Sequence, residues 1–382
     1  MSIADLLKDM FQEDGSPVFF VRRGDRLIAR LKHVLYGWRF AKQVGGRVVV
    51  LWPPPGTWSR YDGHDYSPSL IFDTAQLARD PDTRDLRFLD TAENFPPGGR
   101  SLQHAEFAPL RNNRFRRDFF EQRGLAFYEG NLMQYSFADE KLGRPALNAQ
   151  LSRLFALLPL HPEVASVLAK IQADLDGKDF VCVHARGGDV FGMMREELPG
   201  LVDGSISDAG LTRIIGHYVV RTAPLDLYIP WVEKAVAEGL KVVFSSDSPE
   251  QIDWFKERFG ADHFIDLANY GAKFPIQKAL IDFMILMRGR RLIGTRSNYS
   301  SLASDLAGIP LVTVSAASTS GLTESDATQL YFDRAVSAFL PNVQLDASSS
   351  QRLRGEIDRR YKYVNRLGTK EEIALLDPRR RS

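Results

Sequence analysis

Three segments in the second half of the chain each follow an apolar run of strand length. Each also carries groups suited to holding an anion. His184-Ala185-Arg186-Gly187-Gly188-Asp189 follows Phe180-Val181-Cys182-Val183. Ser245-Ser246-Asp247-Ser248-Pro249 follows Val242-Val243-Phe244. Thr295-Arg296-Ser297-Asn298-Tyr299-Ser300-Ser301 follows Leu292-Ile293-Gly294. Hydroxyls, small residues that leave backbone amides open at a helix start, and a guanidinium are the parts of a phosphate-binding rim. Arg186 supplies a planar, permanent cation for two phosphate oxygens. Asp282 is a fourth oddity, a carboxylate inside Ala279-Leu280-Ile281-Asp282-Phe283-Met284-Ile285-Leu286. Burying it is costly unless it is paired, so it faces solvent or has a specific partner. Each segment also has a plainer reading: Arg186 and Asp189 can form a local salt bridge, and Ser246-Asp247-Ser248-Pro249 makes a good helix cap. Their convergence in one half of the chain favours a binding site.

That convergence depends on the elements around them. From residue 180 onward, short apolar runs alternate with helical patterns. Strands are expected at 180–184, 241–245, 264–266, 291–294 and 311–314, and helices at 225–238, 249–259, 277–287 and 300–307. Strict β/α alternation implies a doubly wound parallel sheet, whose ligands lie beyond the carboxyl ends of the strands. All three segments stand at such ends. The N-terminal part has the same rhythm: strand 17–21, amphipathic helix 27–43 and strand 48–52 form a βαβ unit, with Gly45-Gly46 ending the helix. Residues 56–148 are less regular and read as long loops around short apolar runs. Residues 151–174 read as helix with a break at Pro162.

Composition narrows the function classes. The chain has 382 residues, 44% of them hydrophobic and 25% charged, which suits two or three globular domains. With 49 Lys and Arg against 48 Asp and Glu, a dominant nucleic-acid footprint is not expected. The lone Cys182 excludes an internal disulfide and cysteine-rich zinc sites. No apolar run reaches the roughly 18 residues of a membrane span, and the acidic start lacks the pattern of a secretory signal. The expected location is cytoplasmic. Residues 351–382 hold ten Lys or Arg against five Asp or Glu, a basic helical tail. Walker A, GxSxG, HExxH and GxGxxG patterns are all absent, which demotes P-loop and dinucleotide readings.

The motifs resemble a known family. His184-Ala185-Arg186-Gly187-Gly188-Asp189 is similar to the His-x-Arg-x-x-Asp motif of GDP-fucose-dependent fucosyltransferases, a group that includes the nodulation α-1,6-fucosyltransferases and protein O-fucosyltransferases. Ser246-Asp247-Ser248-Pro249 resembles that family's second motif. Asp282-Phe283 followed by Gly294-Thr295-Arg296-Ser297 resembles the third, and Gly24-Asp25-Arg26-Leu27 resembles the segment after its first strand. The likeness is good over 180–315, fair over 17–52 and undetected between.

The resemblance implies an α/β, GT-B-like fold: two Rossmann-like domains with parallel sheets facing a cleft. The expected division is 1–150 for the acceptor side, 151–345 for the nucleotide-sugar domain and 346–382 for the basic tail. It implies an inverting transferase that uses a GDP-sugar donor, GDP-fucose first, on a glycan or other hydroxyl acceptor, without cofactor or metal. Arg186 would bind the β-phosphate, and His184 and Asp282 would lie at the guanine. Asp247 and Ser297 would lie along the ribose and diphosphate, with Asp189, Ser246 and Asn298 completing the donor site. Glu196, Glu197 and Asp25 are candidate general bases. Two positions depart from the pattern: Gly187 stands where α-1,6-specific relatives have a second arginine, and Ser248 replaces a second aspartate. They leave open a non-catalytic GT-B protein that binds nucleotide or glycan, and a transferase using another nucleotide-sugar.

Overall fold

The computed structural model describes residues 16–22, 26–52, 67–89, 101–102, 114–115, 127–128, 136–186, 200, 205, 207, 225–246, 249–295 and 297–314. The chain divides into two compact units, Met1–Asp174 with Tyr270–Phe283, and Leu175–Asn269 with Met284–Ser382. Residues 151–174 therefore group with the first unit. The basic tail lies outside the described residues.

The first unit opens with the expected βαβ. Strand β1 (Val18–Arg22) and strand β2 (Arg47–Leu51) pair in parallel, Val18 opposite Arg47 and Arg22 opposite Leu51, across helix α1 (Leu27–Lys42). The apolar stripe Leu31, Val34, Leu35, Trp38 and Ala41 is completely buried, as its three- and four-residue spacing requires. Burial extends further round the helix than that spacing predicts. Arg30, His33 and Arg39 are buried too. Arg39 pairs with Glu140 and donates from Nε to Gln150 Oε1 at 2.9 Å, while Trp38 Nε1 donates to Asp85 Oδ2 at 2.9 Å. Helix α1 is thus enclosed by 85 and 140–150 as well as by its own sheet.

Residues 56–148 are expected from sequence as long loops around short apolar runs. The structure places helix α2 (Thr74–Arg79) and a third parallel strand β3 (Leu86–Leu89) there, β3 pairing with β2. Two-residue strands β4 (Ser101–Leu102), β5 (Arg114–Phe115), β6 (Phe127–Tyr128) and β7 (Ser136–Phe137) pair as β4 with β6 and β5 with β7. Helices α3 (Arg144–Ala156) and α4 (Pro162–Leu175) follow, with Pro162 at the break. The corner between them holds the 67–73 segment: Asp73 N–H donates to Pro159 O and His161 N–H to Ile71 O, both at 2.9 Å.

The second unit follows the predicted alternation. Strand β8 (Phe180–Ala185), helix α5 (Ile229–Ala237), strand β9 (Lys241–Ser246), helix α6 (Pro249–Phe259) and strand β10 (Phe264–Ile265) come first. Helix α7 (Pro275–Leu286), strand β11 (Leu292–Gly294), helix α8 (Asn298–Ala307) and strand β12 (Leu311–Thr313) complete it. Residues 275–283 of α7 group with the first unit, and its last turn with the second. The five strands form one parallel sheet in the order β10-β9-β8-β11-β12. Val181, Val183, Val242, Phe244, Phe255 and Ile293 form its buried core. Gly308, at φ +66°, ends α8 in the left-handed conformation, as expected of a glycine there. No helix among the described residues is long and apolar enough to cross a membrane.

Candidate functional site at the strand ends of the second unit

The strand order fixes where a ligand site belongs. From β8 the chain steps outward to β9 and β10, then returns to the other side of β8 for β11 and β12. The order reverses between β8 and β11. At such a switch point the loops leaving the two strands run in opposite directions and open a crevice beyond the carboxyl ends. Register brings the three anion-binding segments to that edge. His184 lies opposite Gly294 on one side and Ser245 on the other, and Ala185 lies opposite Ser246.

A buried polar cluster fills the switch point. His184 Nδ1 stands 2.7 Å from Ser300 Oγ and 3.4 Å from Ser297 Oγ. The two serine hydroxyls are 3.2 Å apart, and Ser297 Oγ accepts the Ser300 N–H at 3.1 Å, capping α8. Tyr299 stacks on the His184 ring, centroids 4.6 Å apart. Beneath, Tyr228 Oη donates to His184 O at 3.3 Å, and complete burial pushes its phenol far up from its usual range. Gly294 makes room for the cluster. A Cβ there would stand 2.8 Å from Ser300 Oγ and 3.2 Å from His184 O.

At the neighbouring strand end, Ser246 Oγ donates to Gln251 Oε1 at 2.7 Å, both residues being buried. Arg186, directly after β8, is half-buried at the same edge, and Thr295 is buried just beyond β11. The start of the ten-residue α8 adds backbone amides and the positive end of its dipole. The edge thus sets a guanidinium and helix amides, groups suited to an anion, beside a buried cluster of hydroxyls and an imidazole.

Of the predicted site residues, His184, Arg186, Ser246, Ser297 and Asn298 stand at this edge, with Asn298 exposed on the first turn of α8. Asp25, Asp189, Glu196, Glu197 and Asp247 lie outside the described residues, as do Gly24, Gly187, Gly188, Ser248 and Arg296. Asp282 is buried on α7 and has a specific partner: Lys278 Nζ, one turn earlier, donates to Oδ2 at 2.7 Å. Gln251 and Tyr228 fall outside the three segments, and Ser300 and Tyr299 lie within theirs beside Ser297 and Asn298. Ser300 had a signal, since a residue three after an N-cap serine points back toward the cap. Gln251 and Tyr228 had none, because their contacts join a helix to a strand end. Among the described residues no group of three or more His, Cys, Asp or Glu could hold a metal ion.

No protein-family model matches the chain, and no curated protein matches it. Among solved structures it is similar to fucosyltransferase NodZ from Bradyrhizobium, at 15% identity and TM-score 0.44, covering 78% of this chain and 94% of that one. It is equally similar to NodZ α-1,6-fucosyltransferase co-crystallised with GDP, at 15% identity, the same coverage and TM-score 0.44. It is also similar to POFUT1 in complex with GDP-fucose, at 12% identity and TM-score 0.46, covering 78% of this chain and 98% of that one.

Proposed function

We propose that this chain is a glycosyltransferase that takes a GDP-sugar, GDP-fucose first, and passes the sugar with inversion to an acceptor hydroxyl. The observation that carries the reading is the switch-point cluster. Two motifs more than a hundred residues apart in sequence meet there through His184, Ser297 and Ser300. Their place is where an α/β sheet binds its ligand.

In this reading the acceptor oxygen attacks the anomeric carbon. The bond from that carbon to the diphosphate breaks, and GDP leaves with the electron pair. The barrier falls through alignment of the two reactants and through opposition of the growing negative charge by Arg186 and the α8 amides. No metal has a part in this step. The acceptor proton goes to a general base, for which Glu196, Glu197 and Asp25 are the candidates. Asp282 has the right chemistry for guanine, since one carboxylate can accept from both N1–H and N2–H. Its bond to Lys278 gives it a structural role as well, and this favours a second reading, in which the base is not guanine and another nucleotide-sugar is used.

A thermal-shift series with GDP, UDP and ADP, with and without EDTA, separates the two. GDP alone should raise the melting temperature, and EDTA should leave that rise intact. A ligand at a hundred times its dissociation constant adds about 2.7 kcal/mol. A rise with UDP or ADP and none with GDP supports the second reading. Arg186→Ala should weaken GDP far more than guanosine, since the lost contacts are to phosphate. Equal losses would take Arg186 off the diphosphate. Transfer assays with GDP-fucose then decide between an enzyme and a nucleotide-binding protein.

A further inference from the structure

Gln251 is 5% exposed and sits on the third residue of α6, where the helix leaves β9. A glutamine at that place can close a capping box through its side-chain oxygen. Here the oxygen is used otherwise, because Oε1 accepts the hydroxyl of Ser246 at the end of β9. The side chain is thereby turned with its Nε2 amide as the remaining polar group. Among the described residues nothing accepts a hydrogen bond from that amide. The amide is not among the fully enclosed unpartnered groups of the described residues, so it reaches the open side of the strand end, where water or a ligand can supply the oxygen.

The position selects the ligand oxygen. The diphosphate belongs at the switch point between β8 and β11, and β9 is the next strand on the other side of β8. Adjacent strands are about 4.8 Å apart, so the end of β9 stands one sugar-width from the phosphates. In dinucleotide-binding sheets the side chain that takes a ribose hydroxyl follows the second strand of the unit, which here is β9. A neutral amide donor also fits a hydroxyl oxygen better than a phosphate, which draws cations. We infer that Gln251, oriented by Ser246, donates to a ribose hydroxyl of the bound nucleoside diphosphate and so helps set the site's preference for ribonucleotides. The inference rests on the GDP-sugar reading above.

The test is calorimetric titration of GDP and 2′,3′-dideoxy-GDP into the wild-type chain and Gln251→Ala. The wild type should bind GDP about five- to tenfold more tightly than the dideoxy form, the worth of one or two neutral hydrogen bonds. Gln251→Ala should lose about the same factor for GDP and bind the two ligands alike, the coupling that a double-mutant cycle isolates. Gln251→Met, close in volume, serves where the alanine variant does not fold. An undiminished preference for GDP in a folded variant overturns the inference and leaves the GDP-sugar reading standing. A wild-type chain that binds neither ligand overturns both.

Discussion

At the residue scale, the site depends on how closely backbone and side chains approach at the switch point. Gly294→Ala puts a methyl group within van der Waals overlap of Ser300 Oγ and close to the His184 carbonyl. Overpacking of this kind costs about 1–3 kcal/mol. The expected outcome is a lower melting temperature together with weaker nucleotide binding, and an unchanged melt would mean that Ser300 turns away without loss. Two buried acids set a second expectation. Burial pushes the Tyr228 phenol well above its usual range, and it does the same to the Cys182 thiol against the opposing effect of a backbone hydrogen bond at Gly289. The unfolded chain therefore releases these protons first as pH rises. These two groups leave stability unchanged below about pH 8.5 and then lower it by up to about 1.4 kcal/mol per unit. The slope steepens beyond about pH 10, where Tyr228 joins together with Tyr270, whose phenol is pushed up to about 12 by burial and the Asp174 carboxylate. Urea midpoints from pH 7 to 10.5 would show it, and Cys182→Ala should remove the first part of the slope. His184, Arg186 and Ser297 could be read from sequence because each lies at the carboxyl end of an apolar strand or in the turn that leaves it. The Ser246–Gln251 bond could not, because it depends on how α6 packs on its strand end.

At the scale of elements, the helices and strands of the second unit were legible because apolar runs and helical periods alternate without a break. Strand β3 was not. Leu86-Arg87-Phe88-Leu89 is four residues long and carries a charge, so it reads as loop. The charge has a local reason. Arg87 donates to Ala78 O at 2.9 Å and, more weakly, to Leu77 O, carbonyls at the end of α2 that no further helical turn satisfies. Thr83 Oγ1 also donates to Leu77 O, at 2.9 Å. A cation at the negative end of a helix gains again from the dipole. Arg87→Leu improves the strand pattern on paper, yet it should destabilise the first unit by about 1 kcal/mol, the net worth of such a bond. A gain in urea midpoint would mean that strand propensity outweighs the cap. Helix α1 shows a related limit: its period marked one buried stripe, while Arg39 is buried through Glu140 and Gln150, partners about a hundred residues on.

At the scale of the whole molecule, the first unit is discontinuous. Residues 270–283 belong to it, although they lie between two stretches of the second. Phe283 packs edge-to-face on Phe155, and Gln277 Nε2 donates to Leu70 O at 2.9 Å and to Glu163 Oε2 at 3.2 Å. Such a return could not be read from local pattern, which shows only another helix in a β/α series. A fragment cut at 175 therefore separates Phe283 from Phe155, and Gln277 from Leu70 and Glu163, and leaves an apolar helix without these partners. Expressed alone, 175–382 should aggregate, and 1–174 should melt below the first unit of the intact chain. Two soluble fragments with native melting temperatures would show that the segment is dispensable to both.

Cys182 carries a practical consequence. It is the only thiol in the chain, fully enclosed on strand β8, and burial keeps it protonated at any pH in which a maleimide is used. The folded protein is therefore chemically silent toward thiol reagents. A single cysteine introduced at an exposed position such as Asp253 becomes the sole attachment point for a dye or a spin label. The native residue need not be removed first, so its packing stays undisturbed while the label reports.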